Sequence, residues 1–165
     1  MLVKLIKNQK GALSTTFAVL LPLILIVMAL VLDGFRIFVL KHELQSVVDS
    51  SALAGASAVE GKLTIDPVTG LSTGNDKLAL DANMADIYAV QLLNENIAAH
   101  NFTGQGINNI QIVEHHAIDK NVDGTLDGYF IKVTANIDSL LYGQLTGAGK
   151  TIQINREAEA VADKD

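Results

Sequence analysis

Oxygen-bearing side chains alternate along one short segment in the second half of the chain, followed by an acid at its ninth position. The residues that supply oxygen ligands there are Asp119, Asn121, Asp123, Thr125 and Asp127, with Thr125 offering its backbone carbonyl. With Gly124 at the sixth position to permit a sharp turn, this spacing reproduces the first nine positions of an EF-hand-type calcium loop. The twelfth position is Phe130 instead of a bidentate Glu. The segment therefore predicts a calcium site, with a polar hairpin turn as the alternative.

Other residues give no catalytic pattern. The chain has no cysteine, which excludes disulfides and thiolate catalysis. His115 and His116 are adjacent in a predicted strand and should point to opposite faces, a poor geometry for one metal. No nucleophile elbow or phosphate-binding loop occurs, so we expect no enzymatic activity and no catalytic residues. The triplet that begins at Asn101 fits a glycosylation acceptor, although such triplets are frequent by chance.

A charge-free run of 22 residues extends from Gly11 to Leu32, directly after three lysines. As a helix it would be about 33 Å long, enough to cross a hydrocarbon core of about 30 Å. The preceding lysines predict a cytoplasmic N-terminus and an exported remainder, in a single pass of the cytoplasmic (inner) membrane. A cleaved secretory signal is the alternative, but the run is long for one. The predicted anchor includes Gly11, Phe17, Pro22 and Leu32.

Acidic and basic residues are distributed unevenly along the chain. All 18 acidic residues but only nine of the 12 basic ones follow Leu32, and no basic patch occurs among them. We therefore expect the head not to bind nucleic acid. The expected partner of the apolar run is the lipid bilayer. The expected organisation is a cytoplasmic stub (1–10), a transmembrane helix (11–32), a continuation of that helix (33–60) and an exported head (61–165).

The helix continuation carries apolar and small residues at helical spacing and no proline between 34 and 60. Small side chains let another backbone approach closely. Two interpretations are open: this face packs against the chain's own sheet, or it packs on copies of itself or on sister subunits. The residues of this predicted packing face are Leu44, Val47, Ser51, Ala54, Gly55 and Ala58.

The remainder predicts an α+β head in which a second helix and the long N-terminal helix pack against a small antiparallel sheet. Turn residues predict a loop over 61–75, followed by a helix over 76–100. The apolar face of that helix is expected to comprise Leu80, Met84, Ile87, Tyr88 and Leu92. Alternation predicts strands over 108–118, 128–137 and 151–162, with a short helical turn over 139–145.

An ordered set of motifs resembles the N-terminal region of TadE/TadG-like proteins of the Tad (Flp) pilus system. It comprises Gly11 to Pro22, the apolar run, Asp33-Gly-Phe-Arg36 and the segment from Leu44 to Ala56. The resemblance implies a pilin-like protein whose partners are itself or sister pilin-like subunits and the pilus assembly machinery. Prepilin-type substrates carry Glu where this chain has Thr16, which leaves cleavage of a leader after Gly11 open.

Two functions follow from these observations. The first is a membrane-anchored structural subunit or assembly component of a Tad/Flp-type pilus or related extracellular filament. The second is a stand-alone membrane-anchored extracytoplasmic domain for adhesion or sensing, with calcium as its cofactor if the Asp119–Asp127 segment binds it.

Overall fold

A computed structural model of the chain describes residues 9–62, 66–71, 77–122, 124–147 and 149–162. Its first element is one continuous helix of 48 residues, α1 (Gln9–Ala56), which contains Pro22. The predicted continuation of the membrane helix into the head is therefore present. The helix ends four residues before the expected boundary at 60, because Ser57 and Ala58 turn the chain into a strand.

The two halves of α1 have opposite environments. Every residue from Leu13 to Met28 is exposed. The most apolar 18-residue window of the helix has a mean hydropathy of 2.8, and none of it is buried in the protein. From Ile37 onward, by contrast, one face lies in the core of the head. A core helix of a soluble protein would be mostly buried, so the first half has the properties of a membrane anchor.

The described part of the head contains two antiparallel sheets and three further helices, which confirms the predicted α+β class. Strands β1 (Val59–Lys62) and β2 (Lys77–Leu80) form a two-stranded sheet. Helices α2 (Ala82–His100) and α3 (Phe102–Gln105) follow. Strands β3 (Ile107–Ile118), β4 (Gly128–Asp138) and β5 (Thr151–Val161) form a second sheet in the order β3-β4-β5. The short helix α4 (Tyr142–Leu145) lies in the connection between β4 and β5.

The central strand β4 shows the predicted alternation. The side chains that it buries are Tyr129, Ile131, Val133, Ala135 and Ile137. They pack against α1, while the intervening residues are only half-buried. Ile154 and Ala158 of β5 continue this apolar face, and Glu157 and Glu159 lie exposed on the other. A sheet with one apolar face is typical of antiparallel strands covered on one side.

The prediction for the second helix was wrong in its start and in its face. Residues 77–80 form β2, and the helix begins only at Ala82, because the Asp81 carboxylate caps it by accepting from the backbone N–H groups of Asn83 and Met84. The predicted loop is correspondingly shorter, since Gly61 and Lys62 belong to β1. Residues 63–65 and 72–76 of that loop lie outside the described residues.

The buried face of α2 consists of Ala85, Ala89 and Leu93, one position away from the predicted stripe. Met84, Ile87 and Tyr88 are instead substantially exposed. The physical reason is the contact with α1, where Asn96 Nδ2 donates to Ser50 Oγ at 3.1 Å. Small residues on both helices allow close approach and displace the bulkier side chains from the contact.

Gly55 of α1 lies directly beneath the Tyr129 ring. A Cβ atom placed on Gly55 would come within 2.5 Å of two ring carbons, Cγ and Cδ1. The absence of a side chain at this position therefore lets the helix and the sheet come together around the largest fully buried side chain of the head.

We expect Gly55→Ala to destabilise the protein by about 1–3 kcal/mol, because it overpacks the contact with Tyr129. The matched control is Gly34→Ala in the same helix, where a Cβ would make only an ordinary contact of 3.9 Å with Tyr142. There we expect stabilisation of about 0.5–1 kcal/mol from the better helix propensity. Denaturant unfolding in detergent micelles measures both. Equal effects of the two substitutions would contradict the proposed crowding at Gly55.

Candidate functional site

The carboxylate of Asp33 joins the exit of the apolar helix to the head. Its Oδ2 atom accepts hydrogen bonds from the Ser139 hydroxyl at 3.0 Å and from the backbone N–H groups of Leu140, Leu141 and Tyr142 at 2.8–3.1 Å. The Asp33 side chain is 2 % exposed. One oxygen atom therefore collects four donors from the start of α4, which lies more than 100 residues away in sequence.

Arg36, one turn after Asp33, makes a second set of bonds to the head. Its Nη1 atom donates to the Asp138 carbonyl at 2.9 Å, and Nη2 donates to the Gln105 carbonyl. Nη1 also lies 3.8 Å from Asp33 Oδ1. Gly106 makes room for this guanidinium, because a Cβ there would collide with it. We call Asp33 and Arg36, together with the backbone of Gln105 and of residues 138–142, the clasp.

The segment that the clasp holds is itself tightly bonded. The Ser139 hydroxyl donates to Asp33 and accepts from the Gly143 N–H at 2.6 Å. The Ser139 N–H donates to the Lys150 carbonyl at 2.7 Å, and the Gly149 N–H donates to the Gly143 carbonyl. Gly143 cannot carry a side chain here, because its Cβ would collide with the Gly149 carbonyl. The acceptor on α1 therefore meets donors in a fixed arrangement.

The electrostatics of the clasp favour an ionised Asp33. Burial raises its pKa, but the hydrogen bonds from Leu141, Tyr142, Ser139 and Leu140 lower it by more, so the pKa lies below its usual range. Asp33 is the first residue beyond the charge-free run and belongs to the head side of α1. A buried charge of this kind is stable only while its donors remain in place.

The sequence indicated Asp33 and Arg36 only as part of a family motif and did not identify them as a site. The available signal was an acid placed directly after an apolar run, with a basic residue three positions later. Their partners could not be found in this way, because all except the Ser139 hydroxyl are backbone N–H and C=O groups of distant loops, which carry no side-chain pattern.

The structure places the predicted packing face mainly inside the subunit. Leu44, Val47, Ser51, Gly55 and Ala58 are all buried in the head, and Ala54 is half-buried. These five residues therefore pack within the chain itself, which agrees with the first of the two interpretations. Packing on sister subunits stays a prediction. The exposed residues of the predicted anchor include Phe17, Pro22 and Leu32, and Gly11 lies within the same helix.

The predicted calcium segment connects β3 and β4 as a turn. Asp127 is buried, and its two oxygens accept from the Lys120 N–H at 2.8 Å and from Asn121 Nδ2 at 2.6 Å. Asp119 accepts from the Gly124 N–H at 2.7 Å, and Thr125 is half-buried. Asp123 lies outside the described residues. Among the residues that are described, no three His, Cys, Asp or Glu side chains could together hold a metal. A calcium site here stays a prediction.

A separate polar cluster joins α2 to the sheet. The Tyr129 hydroxyl donates to Asp86 Oδ1 at 2.7 Å, and His115 Nδ1 lies within 3.1 Å of both atoms. Burial raises the pKa of Tyr129, and the hydrogen bond and charge of Asp86 raise it further, so the phenol remains a donor. His116 lies on the opposite face near Phe130, as predicted for adjacent strand residues.

Replacing Asp33 with Ala should release the segment that the clasp holds. The N–H groups of Leu140 to Tyr142 would lose their acceptor, and we expect a cost of about 1–3 kcal/mol. Hydrogen–deuterium exchange should accelerate over 139–145 in the full chain. Asp49→Ala is the matched control, because this exposed carboxylate on the same helix accepts from Gln45. Unchanged exchange over 139–145 in Asp33→Ala would contradict the clasp.

The lowered pKa of Asp33 leads to a prediction of how the unfolding free energy depends on pH. Its contribution to stability is fully present above the ordinary Asp value of 3.8 and is lost as the pH falls through the lower folded value. The difference in unfolding free energy between the native chain and Asp33→Asn should thus be constant above about pH 4 and shrink below it. Denaturant titrations between pH 2 and 6 measure this. A difference that grows on acidification would contradict the assigned sign.

Calcium binding to the turn would stabilise the folded chain by about 2.7 kcal/mol at a hundredfold excess over the dissociation constant. The Tm of the full chain should then be higher in millimolar calcium than in chelator. Asp119→Ala combined with Asp123→Ala should abolish the difference, and magnesium should replace calcium poorly. If calcium leaves the Tm unchanged, the segment is only a polar hairpin turn.

The segment that contains the clasp side chains is similar to a known protein family. No curated protein and no solved structure matched the chain. One family model did match, over the segment that contains most of α1 and both clasp side chains, Asp33 and Arg36. The resemblance predicted from the sequence is thereby confirmed: residues 11–58 match the model of the TadE/G-like Flp pilus-assembly family.

Proposed function

We propose that this chain is a membrane-anchored structural subunit or assembly component of a Tad/Flp-type pilus. The match of residues 11–58 to a pilus-assembly family carries this proposal. The matched segment is one helix, apolar and exposed in its first half and buried in the head in its second. A protein of this kind presents a folded domain at a membrane surface.

In the proposed topology, the N-terminus is cytoplasmic and the head lies on the outer side of the cytoplasmic membrane. The three lysines before the apolar run support this orientation, because basic residues are retained on the cytoplasmic side. The acidic head carries no basic patch that would hold it to anionic lipids. A reporter fused after Asp165 should therefore be active only outside the cytoplasm.

The clasp supports a role in which the position of the head matters. The second half of α1 already packs in the core of the head from Ile37 onward, and the clasp adds contacts where the helix leaves the apolar run. Here Asp33 and Arg36 bond the junction to the loops before and after the sheet strands. Force or contact at the head would be transmitted to the membrane helix through these bonds. The proposed partners are further pilin-like subunits and the assembly machinery of the pilus.

Deletion and complementation test this function. In cells that assemble a Tad-type pilus with this chain, deletion should abolish or shorten surface filaments seen by electron microscopy. The native chain should restore them, and Asp49→Ala should restore them equally. Mass spectrometry of sheared filaments separates the two roles: a subunit is recovered with the filament, and an assembly component stays in the membrane. Normal filaments after deletion would contradict the proposal.

A stand-alone adhesion or sensing domain is the alternative, and calcium binding at the Asp119–Asp127 turn is proposed only as part of it. The turn lies between β3 and β4, at the end of the sheet away from the clasp segment between β4 and β5. A calcium-dependent rise in Tm together with normal filaments after deletion would favour this alternative.

A further inference from the structure

Three exposed apolar side chains lie on the segment that the clasp holds. Leu140, Tyr142 and Leu145 are 67 %, 41 % and 63 % exposed. From Ser139 to Gly149 the sequence contains no charged residue. Single exposed leucines are ordinary on a soluble surface. Here, however, the clasp holds these side chains next to the end of the apolar run.

The hydrogen bonds of Asp33 fix the depth of this segment. The backbone nitrogens of Leu140, Leu141 and Tyr142 lie within 3.1 Å of its carboxylate. Asp33 directly follows the last residue of the charge-free run. If that run spans the hydrocarbon core, residues 140–142 are held where the helix leaves it.

The burial of residues along α1 shows that the head also covers residues that precede Asp33. Residues from Leu13 to Met28 are exposed, whereas Ala29 and Leu30 are half-buried. Leu30 lies one turn before Asp33 on the same helix face. Part of the protein therefore covers the helix about 5 Å further toward the bilayer than the clasp.

We propose that the segment 139–145 is a second membrane contact, with Leu140, Tyr142 and Leu145 in the boundary between lipid headgroups and acyl chains. This inference rests on the proposed function, in which residues 11–32 span the bilayer. Tyrosine is enriched at that boundary, and leucines of short interfacial helices insert there. The contact continues the membrane-facing surface of α1 and, together with the clasp, fixes the orientation of the head relative to the membrane.

Site-directed spin labelling tests the contact, since the chain has no native cysteine. Single cysteines replace Leu140 or Leu145 in the full chain, which is reconstituted into vesicles of phosphatidylcholine and phosphatidylglycerol at low protein content. A label at Leu25 reports the middle of the apolar run. A label at Leu53, which is 63 % exposed and about 30 Å further along α1 than Asp33, reports the aqueous reference.

Relative accessibility to oxygen and to a water-soluble nickel complex measures the depth of each label. We expect Leu25 to be deep, Leu53 to be aqueous, and Leu140 and Leu145 to be at intermediate depth. Aqueous values at both Leu140 and Leu145 with a deep Leu25 would overturn this inference and leave the anchor intact. An aqueous Leu25 would overturn the anchor itself. Protection of Leu145 that appears only as protein content rises would identify a neighbouring copy as the occupant and overturn the lipid contact.

Discussion

The Asp33 carboxylate is the interaction that fixes the segment between β4 and β5 against the apolar helix. It is nearly inaccessible to water and would be unstable as an isolated charge, because burial of an ionised group is costly. Four donors on one oxygen compensate for that cost, and three of them are the N–H groups that begin α4. The charge therefore organises the loop, and the loop in turn stabilises the charge. Removing either partner leaves the other buried without its complement.

The long helix has two different environments along one continuous backbone. Its first half has large apolar side chains that are exposed in all directions, as suits lipid. Its second half has one face of small and aliphatic residues that α2 and the sheet cover. The transition occurs at Asp33 and Arg36, the first charged residues after the apolar run, and both bind the head. Gly55 marks the other end of the contact, where the absence of a side chain accommodates the Tyr129 ring.

Much of this architecture could be predicted from local patterns. The helix over the apolar run, its continuation into the head and the alternation along β4 each depend on residues close in sequence, and all three are present in the structure. The face of α2 could not be predicted in the same way. Bulky Met84, Ile87 and Tyr88 suggested a core stripe, but the small residues of α1 favour the close approach of Ala85 and Ala89.

The clasp could not be predicted from the sequence either, because Asp33 binds backbone groups more than 100 positions away. The subunit-packing residues illustrate the same limit, since small residues are suited equally to an internal or an external contact.

The most direct test of this account is whether the segment between β4 and β5 is held rigidly against the apolar helix. Spin labels at Leu20 in the apolar run and at Gln144 in α4 allow pulsed electron–electron double resonance in the reconstituted full chain, since both side chains are exposed. The account predicts a single narrow distance distribution for the native chain and a broad one for Asp33→Ala. A broad distribution in the native chain, or a narrow one that survives Asp33→Ala, would contradict the central role of the Asp33 carboxylate.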